Sequence, residues 1–552
     1  MIARHPRRTP DGGHVTRVHH TQTGKSPPFM NAEPFIVSDV RVTARARSRT
    51  SAFLRQACGT RTLLAALAML TWAAAAHAAT GARCTVRAGA GETVIDAILL
   101  NDTPDPKPGR VIIDAHGIIR CAGATCQPTA PHPTIISCPQ DSLSPGFINP
   151  HDHIDFTGDA PLPDTGERFE HRHEWRKGLD GHTELKGADP DTSPELIAWG
   201  ELRFLISGIT AMVGGNMAPG LVRNMDFATG LEGLPQHAVT YQVFPLDDGP
   251  GIMRTHDCNY GNHPSTPADV AATPAFLAHV AEGTNGAARN EFRCLSSNTY
   301  DRTPQQGGGG ISQDMMQPGM TILHGVGLGA NDFDLLHNRG ISLVWSPRSN
   351  LALYGRTVDI PAARAHGVTI ALGTDWLPSG SMNMSREFAC AVHYSHDHLA
   401  SALSSRDLWR MATQGGAAAV HGDSVMGAIA PGHVADLVLF RPQGQTPYDA
   451  AVQSTPGTID MVMRGGHVLY GDRKIIRRLH QPGCEKVGID GQAKALCIRT
   501  DQRFSFATLK RDMTRRHIYP LVTTGTPPNE PPCETLEETR ARLPNARLTG
   551  PE

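Results

Sequence analysis

Short apolar runs recur along the chain, separated by polar stretches and Gly/Pro breaks. VIDAILL (94–100), RVIIDAHGIIRCAG (110–123) and TIISC (134–138) read as β-type runs. From LSPGFINPHDHIDF (143–156) to about residue 420 the pattern changes. Apolar runs alternate there with helix-like segments: GITAMVGG (208–215), AVTYQVFP (238–245), AFLAHVAEG (275–283), MTILHGVG (320–327), ISLVWSP (341–347) and VTIALGTD (368–375). Such runs between helical stretches predict buried parallel strands. About eight units over roughly 270 residues fit an α/β fold of the (β/α)8 TIM-barrel type. GAIAPGHVADLVLF (427–440) and IDMVMRGGHVLYGDR (459–473) return to strands and turns. They would complete a small β-sandwich domain begun before the barrel. The expected layout is a leader over 1–78, a small β domain from 79–147 plus 421–472, a barrel over 148–420, and an appended surface extension over 473–552 with little periodicity.

The first 78 residues read as an address. Leu63 to Ala76 is LLAALAMLTWAAAA, with Arg55 and Arg61 before it and Ala76-His77-Ala78 after it. A basic region, a short apolar core and a small-residue cleavage site are the order of a secretory signal peptide. The mature chain would start at Ala79 and be exported, periplasmic or secreted, with no membrane attachment after leader cleavage. Ten of the eleven cysteines lie beyond Ala78, an even number that permits disulfides in an exported chain. Connectivity cannot be deduced from spacing, and Cys390, in EFACAV, reads as a buried thiol. Absence of Cys-x-x-Cys argues against a cysteine zinc site.

Charge follows the same division. The formal net charge is −2, but residues 1–61 hold eleven Lys/Arg against three Asp/Glu, so the body of the chain is acidic. An acidic body argues against a nucleic-acid partner. Composition is otherwise ordinary for a globular protein, with 39% hydrophobic and 19% charged residues.

Candidate chemistry sits where apolar runs end. His151 and His153 follow the run FIN, and residues i and i+2 of an extended chain share a face. Both imidazoles can then share one metal while Asp152 faces away. His279 ends AFLAHV and Glu282 lies three residues on; alone, His279 reads equally as a buried core histidine. His324 ends MTIL. Asp375 ends VTIALGT and alone reads equally as a helix N-cap. Together these groups fall at the C-terminal ends of strands 1, 5, 6 and 8, the end where barrel chemistry is built. Three His and one carboxylate suit zinc or iron(II) with a position left for water. No Lys occurs between residues 187 and 473, so a lysine bridging two metals is excluded and one divalent metal is favoured. Nucleophile-elbow, His-Glu-x-x-His and phosphate-loop motifs are absent. The pair His171 and His173 reads as a solvated or substrate-facing loop. Trp376 could stack on a planar ring or simply pack, and Arg348 could meet an anion or lie on the surface. Glu170 and Trp175 are further candidates for the mouth. Gly307–Gly310 reads as a mobile loop.

The set PGFINPHDH, HVAE, ILHG, ALGTD and GAIAPGHVADLVLF resembles the metal-dependent amidohydrolase superfamily. The nearest branch is the mononuclear one, with cytosine and guanine deaminases, imidazolonepropionase and triazine hydrolases. The resemblance spans about 84–472. It implies that His151, His153, His279 and Asp375 bind the metal, zinc foremost. It further implies that Asp375 accepts the proton of the attacking water, Glu282 carries it to the leaving nitrogen, and His324 orients the water or polarises the substrate. The implied activity is hydrolysis of a C–N bond other than a peptide bond in a small cyclic amide, amidine or amino-heterocycle. Rival readings are an inactive small-molecule-binding barrel and a dipeptidase-like amidohydrolase. The resemblance is compatible with a homo-oligomer. The tail 473–552 has no counterpart in it, and the loop 157–190 and insertion 294–320 are long enough to reshape the pocket.

Overall fold

Eight parallel strands carry the middle of the chain: β1 (Phe147–Asn149), β2 (Ile209–Met212), β3 (Arg223–Asn224), β4 (Thr240–Gln242), β5 (Phe276–Val280), β6 (Met320–His324), β7 (Ser342–Trp345) and β8 (Ile370–Leu372). The computed structural model describes residues 83–187, 189–304 and 310–544. The predicted leader and its cleavage site at Ala79 lie outside the described residues, as does the stretch 307–309. Strands β1, β2 and β3 form one sheet in that order; β8, β7, β6, β5 and β4 form a second. Every pairing in both sheets is parallel. The apolar runs become strands because helices cover the sheets and leave every residue of β5, β6, β7 and β8 buried. β3 is two residues long and left no apolar run to read.

Backbone hydrogen bonds join the sheet edges on both sides. Asp375 N donates to His151 O at 3.0 Å beyond the ends of β8 and β1, and Val239 N donates to Met225 O at 2.9 Å between β3 and β4. Gly373 sits at the first junction. A Cβ there would lie 2.8 Å from His151 Cβ and 2.9 Å from Val344 Cγ1, so only glycine lets β8 approach β1 this closely.

The flanking segments build one ten-stranded sheet. Thr134–Pro145 pairs antiparallel with Leu437–Phe440, uniting the chain before and after the eight parallel strands. Residues 473–544 depart from the expected surface extension. Gln492–Leu496 pairs with His467–Asp472 and Glu485–Ile489 pairs with Gln492–Leu496, so the tail extends the same sheet. The helix Phe506–Arg515 lays Phe506 against Trp199, with ring centroids 6.5 Å apart. Its contacts are long-range in sequence, which is why local periodicity did not show them. Among the described residues, no helix is long and apolar enough to cross a membrane.

All ten cysteines beyond Ala78 are paired: Cys84–Cys138, Cys121–Cys126, Cys258–Cys294, Cys390–Cys533 and Cys484–Cys497. Cys390 is therefore not the free thiol expected. It is buried as expected, but its partner lies 143 residues away.

Candidate metal centre

The chain just past β1 stays extended. Asp152 N donates to Val213 O and Ile154 N to Gly214 O, both at 3.1 Å, so the side chains continue to alternate. His151 and His153 point to one side. Asp152 points to the other, where its carboxylate accepts from Thr374 Oγ1 at 2.7 Å and burial drives its pKa well above the carboxylate range. His279 is the penultimate residue of β5, and His324 is the last of β6. His324 and Asp375 both adopt left-handed backbone, with φ of 68° and 56°.

These turns bring the six groups together. His151 Nε2 lies 3.2 Å from His279 Nε2 and 3.3 Å from Asp375 Oδ1. His153 Nε2 is 3.6 Å from the same Oδ1. His324 Nε2 is 3.9 Å from Asp375 Oδ2 and 3.7 Å from Glu282 Oε2. Two triads have ligand atoms within 4.8 Å of one another: His151, His279 and His324, and His151, His153 and Asp375. All are buried except His153, which is partly open.

The outer nitrogens are held from behind. His279 Nδ1 is 3.3 Å from Gln242 O. A carbonyl only accepts, so the His279 proton is on Nδ1 and an Nε2 lone pair faces inward. Asn350 gives its Nδ2 to Thr357 Oγ1, leaving Oδ1 to face His324 Nδ1 at 3.0 Å; the His324 Nε2 lone pair is likewise turned in. His151 Nδ1 lies 3.0 Å from Ser346 Oγ. Burial moves His151, His279 and His153 below the ordinary imidazole range, which favours their neutral, ligating form. Burial pushes Asp375 the other way, but attraction to His151, His324 and His153 in their protonated forms, with the Ser349 hydrogen bond, outweighs it and holds the carboxyl at about 2, so the group is ionised at neutral pH. Neutral imidazoles turned inward around an ionised carboxylate are the donor set of a divalent cation, and His151 Nε2 and His279 Nε2 at contact distance are satisfied by sharing one.

A single helix, α2 (Pro347–Tyr354; α1 is Arg172–Lys177), supplies most of the support. Its N-cap Ser346 contacts His151, Asn350 contacts His324, and Ser349 Oγ donates to Asp375 Oδ2 at 2.5 Å. Tyr354 OH donates to Glu282 Oε1 at 2.7 Å. Sequence reasoning missed this group. The signal was in SPRSNLALY: polar residues 346, 349, 350 and 354 recur at helical spacing, directly after an apolar strand.

Other candidates are placed differently. His171 and His173 are not in a solvated loop. His173 lies on α1 (Arg172–Lys177), His171 is the N-cap, and both are fully buried. His173 Nε2 is 2.8 Å from Asp248, His171 Nε2 is 3.2 Å from Glu291, and Arg172 bonds Asp248 at 2.5 Å. Buried acids so far along the chain, Asp248 and Glu291, are invisible in local sequence. The network anchors the Glu282 turn: Arg172 N donates to Glu282 O and Thr284 N to Glu170 O. Arg348 is neither on the surface nor facing a substrate. It is buried, 3.4 Å from Glu530. Trp376 stacks on Trp175, with centroids 5.2 Å apart, and meets Phe156 edge-on at 5.3 Å. Tyr241, also unforeseen, places its OH 3.0 Å from His153 Nε2.

Residues 278–469 match the model of the amidohydrolase family. It is similar to a 5-methylthioadenosine/S-adenosylhomocysteine deaminase of Nitratidesulfovibrio vulgaris, with 28% identity over 389 residues, 61% of this chain and 81% of that protein. A deaminase of the same name from Desulfitobacterium hafniense is 25% identical over 391 residues, 62% of this chain and 84% of the relative. Among solved structures, an adenosine deaminase from Xanthomonas campestris with bound zinc aligns with TM-score 0.47 and 18% identity, over 77% of this chain and 97% of its own. An atrazine chlorohydrolase from Arthrobacter aurescens complexed with zinc gives 0.48 and 16%, over 68% and 95%.

Proposed function

We propose that the chain is a metal-dependent hydrolase that cleaves a C–N bond other than a peptide bond in a small cyclic amide, amidine or amino-heterocycle. The observation that carries this reading is the convergence of inward His lone pairs, the Asp375 carboxylate and the Glu282 carboxylate on one buried space. The names of the similar deaminases favour release of ammonia from an amino-heterocycle over ring opening.

His151, His153, His279 and Asp375 would hold one divalent ion, with zinc favoured over iron(II). Bound there, the ion supplies Lewis acidity to a water and to the substrate. Asp375, ionised and turned inward, takes a proton as the water adds to the sp² carbon. His324, its ring aimed by Asn350, steadies the water or the polarised atom of the substrate. Glu282, 3.7 Å from His324, takes that proton on and relays it to the departing nitrogen as the C–N bond breaks. The eight parallel strands, joined at both sheet edges by backbone hydrogen bonds, support a closed (β/α)8 barrel. Five disulfides support export, because cytosolic thiols stay reduced.

The test has two parts. Elemental analysis of the purified chain is expected to give about one zinc or iron per chain. A panel of amino-heterocycles and cyclic amides is then assayed for ammonia and for ring-opened product. Asp375→Asn is expected to fold and lose at least about two orders of magnitude in rate. Two metals per chain, or unchanged turnover in that variant, would overturn the scheme.

A further inference from the structure

The candidate site leans on α2, and α2 is gripped at both ends by the C-terminal segment 530–539. At its first turn, buried Arg348 donates from Nε to Ser381 Oγ at 2.7 Å, from one terminal nitrogen to Pro531 O at 2.6 Å and from the other to Arg386 O at 2.9 Å. Glu530 lies 3.4 Å from the same guanidinium. At its last turn, Leu536 N donates to the carbonyl of Gly355, the left-handed residue that caps the helix. A Cβ on Gly355 would lie 2.9 Å from Leu536 N, so the two backbones are in direct contact.

This segment is itself fastened to one helix, α3 (Met384–His398). Arg386 Nε donates to Glu530 at 2.7 Å, Cys390 is bonded to Cys533, and His398 Nε2 lies 3.1 Å from Glu538. Positions 386, 390 and 398 are separated by multiples of four and share one face of the helix. Residues 530–539 also lie beyond the stretch that matches the family model.

We propose that residues 530–539 form a clamp that positions α2, and through it His151, His324, Glu282 and Asp375, with Arg348 and Glu530 as its positioning residues. Its kinetic consequence rests on the hydrolase reading; the positioning itself does not. A small displacement of aligned groups costs far more rate than binding. Loss of the clamp should therefore lower kcat and leave KM nearly unchanged.

The test compares backbone hydrogen exchange and steady-state kinetics in the parent enzyme, Glu530→Gln, a C390S/C533S double variant and a C484S/C497S control. The control removes a disulfide at the far edge of the ten-stranded sheet. In Glu530→Gln and C390S/C533S, amides 348–355 are expected to exchange about tenfold or more faster. The kcat should fall about tenfold, with KM held within about twofold. If C390S/C533S does not fold, Glu530→Gln alone decides. Unchanged exchange in Glu530→Gln, or equal acceleration in C484S/C497S, overturns the clamp. Faster exchange in Glu530→Gln alongside a parent enzyme that hydrolyses no substrate supports the clamp and refutes the hydrolase reading.

Discussion

His324 and Asp375 leave their strands in the left-handed region, which costs a residue bearing a Cβ about 1–3 kcal/mol. Each is held there by a side chain of α2, Asn350 for His324 and Ser349 for Asp375. Glu282 has the matching arrangement, with Tyr354 donating to Oε1 and Oε2 left toward His324. A hydrogen bond to a charged group contributes about 1.5–3 kcal/mol. Tyr354→Phe removes this one without changing the shape of the ring. Its kcat should fall about tenfold or more, with metal content unchanged and the unfolding free energy lower by about 1.5–3 kcal/mol, because Glu282 and Trp175 both lose a buried partner; the check is kinetics and denaturant unfolding beside elemental analysis. The ligand candidates were legible because each closes an apolar run, which fixes its end of the strand. Their supporters were not, apart from the spacing in SPRSNLALY. Arg348 shows why: its partner Glu530 is far away in sequence, and nothing local separates a buried arginine from an exposed one.

The helix Pro194–Leu205 buries a carboxyl that the proposed reaction does not use. Glu201 is fully buried on it and accepts from Ala218 N at 2.5 Å, Asn224 Nδ2 at 3.1 Å and Val222 N at 3.2 Å. Burial raises its pKa from the ordinary 4.5 to about 8, although the three donors pull it down. The folded state therefore holds this proton between pH 4.5 and 8 while the unfolded chain has lost it. Its contribution to stability is greatest below 4.5 and declines as pH rises to 8. Glu201→Gln should remove that decline. Denaturant unfolding of both proteins at pH 5 and pH 8 is the check; an equal pH slope in the two would exclude the assignment. Elements themselves were legible where both faces are covered, since β5 to β8 read as unbroken apolar runs. β3 and the strands at 485–496 were not. The first is too short for any period, and the second pair is stabilised by a sheet edge built from residues far upstream.

Across the whole molecule, five disulfides cross-link the described residues. Their spans differ widely: 5 residues for Cys121–Cys126, 13 for Cys484–Cys497 and 143 for Cys390–Cys533. Cross-linking lowers the entropy of the unfolded chain more as the closed loop lengthens. The expected contributions are about 2, about 3 and about 5 kcal/mol respectively. The longest also fastens the clamp on α2, so it alone joins global stability to the candidate site. Removing each pair by Cys→Ser substitution should lower the unfolding free energy in that order, measured by denaturant titration under oxidising conditions. Only the Cys390–Cys533 variant should also lose kcat while still folded. If that variant lost stability no more than the Cys121–Cys126 variant, residues 516–544 would be held by their packing and ion pairs alone. The tail would then be a covering layer that folds on the rest, rather than a tether that limits what the unfolded chain can explore.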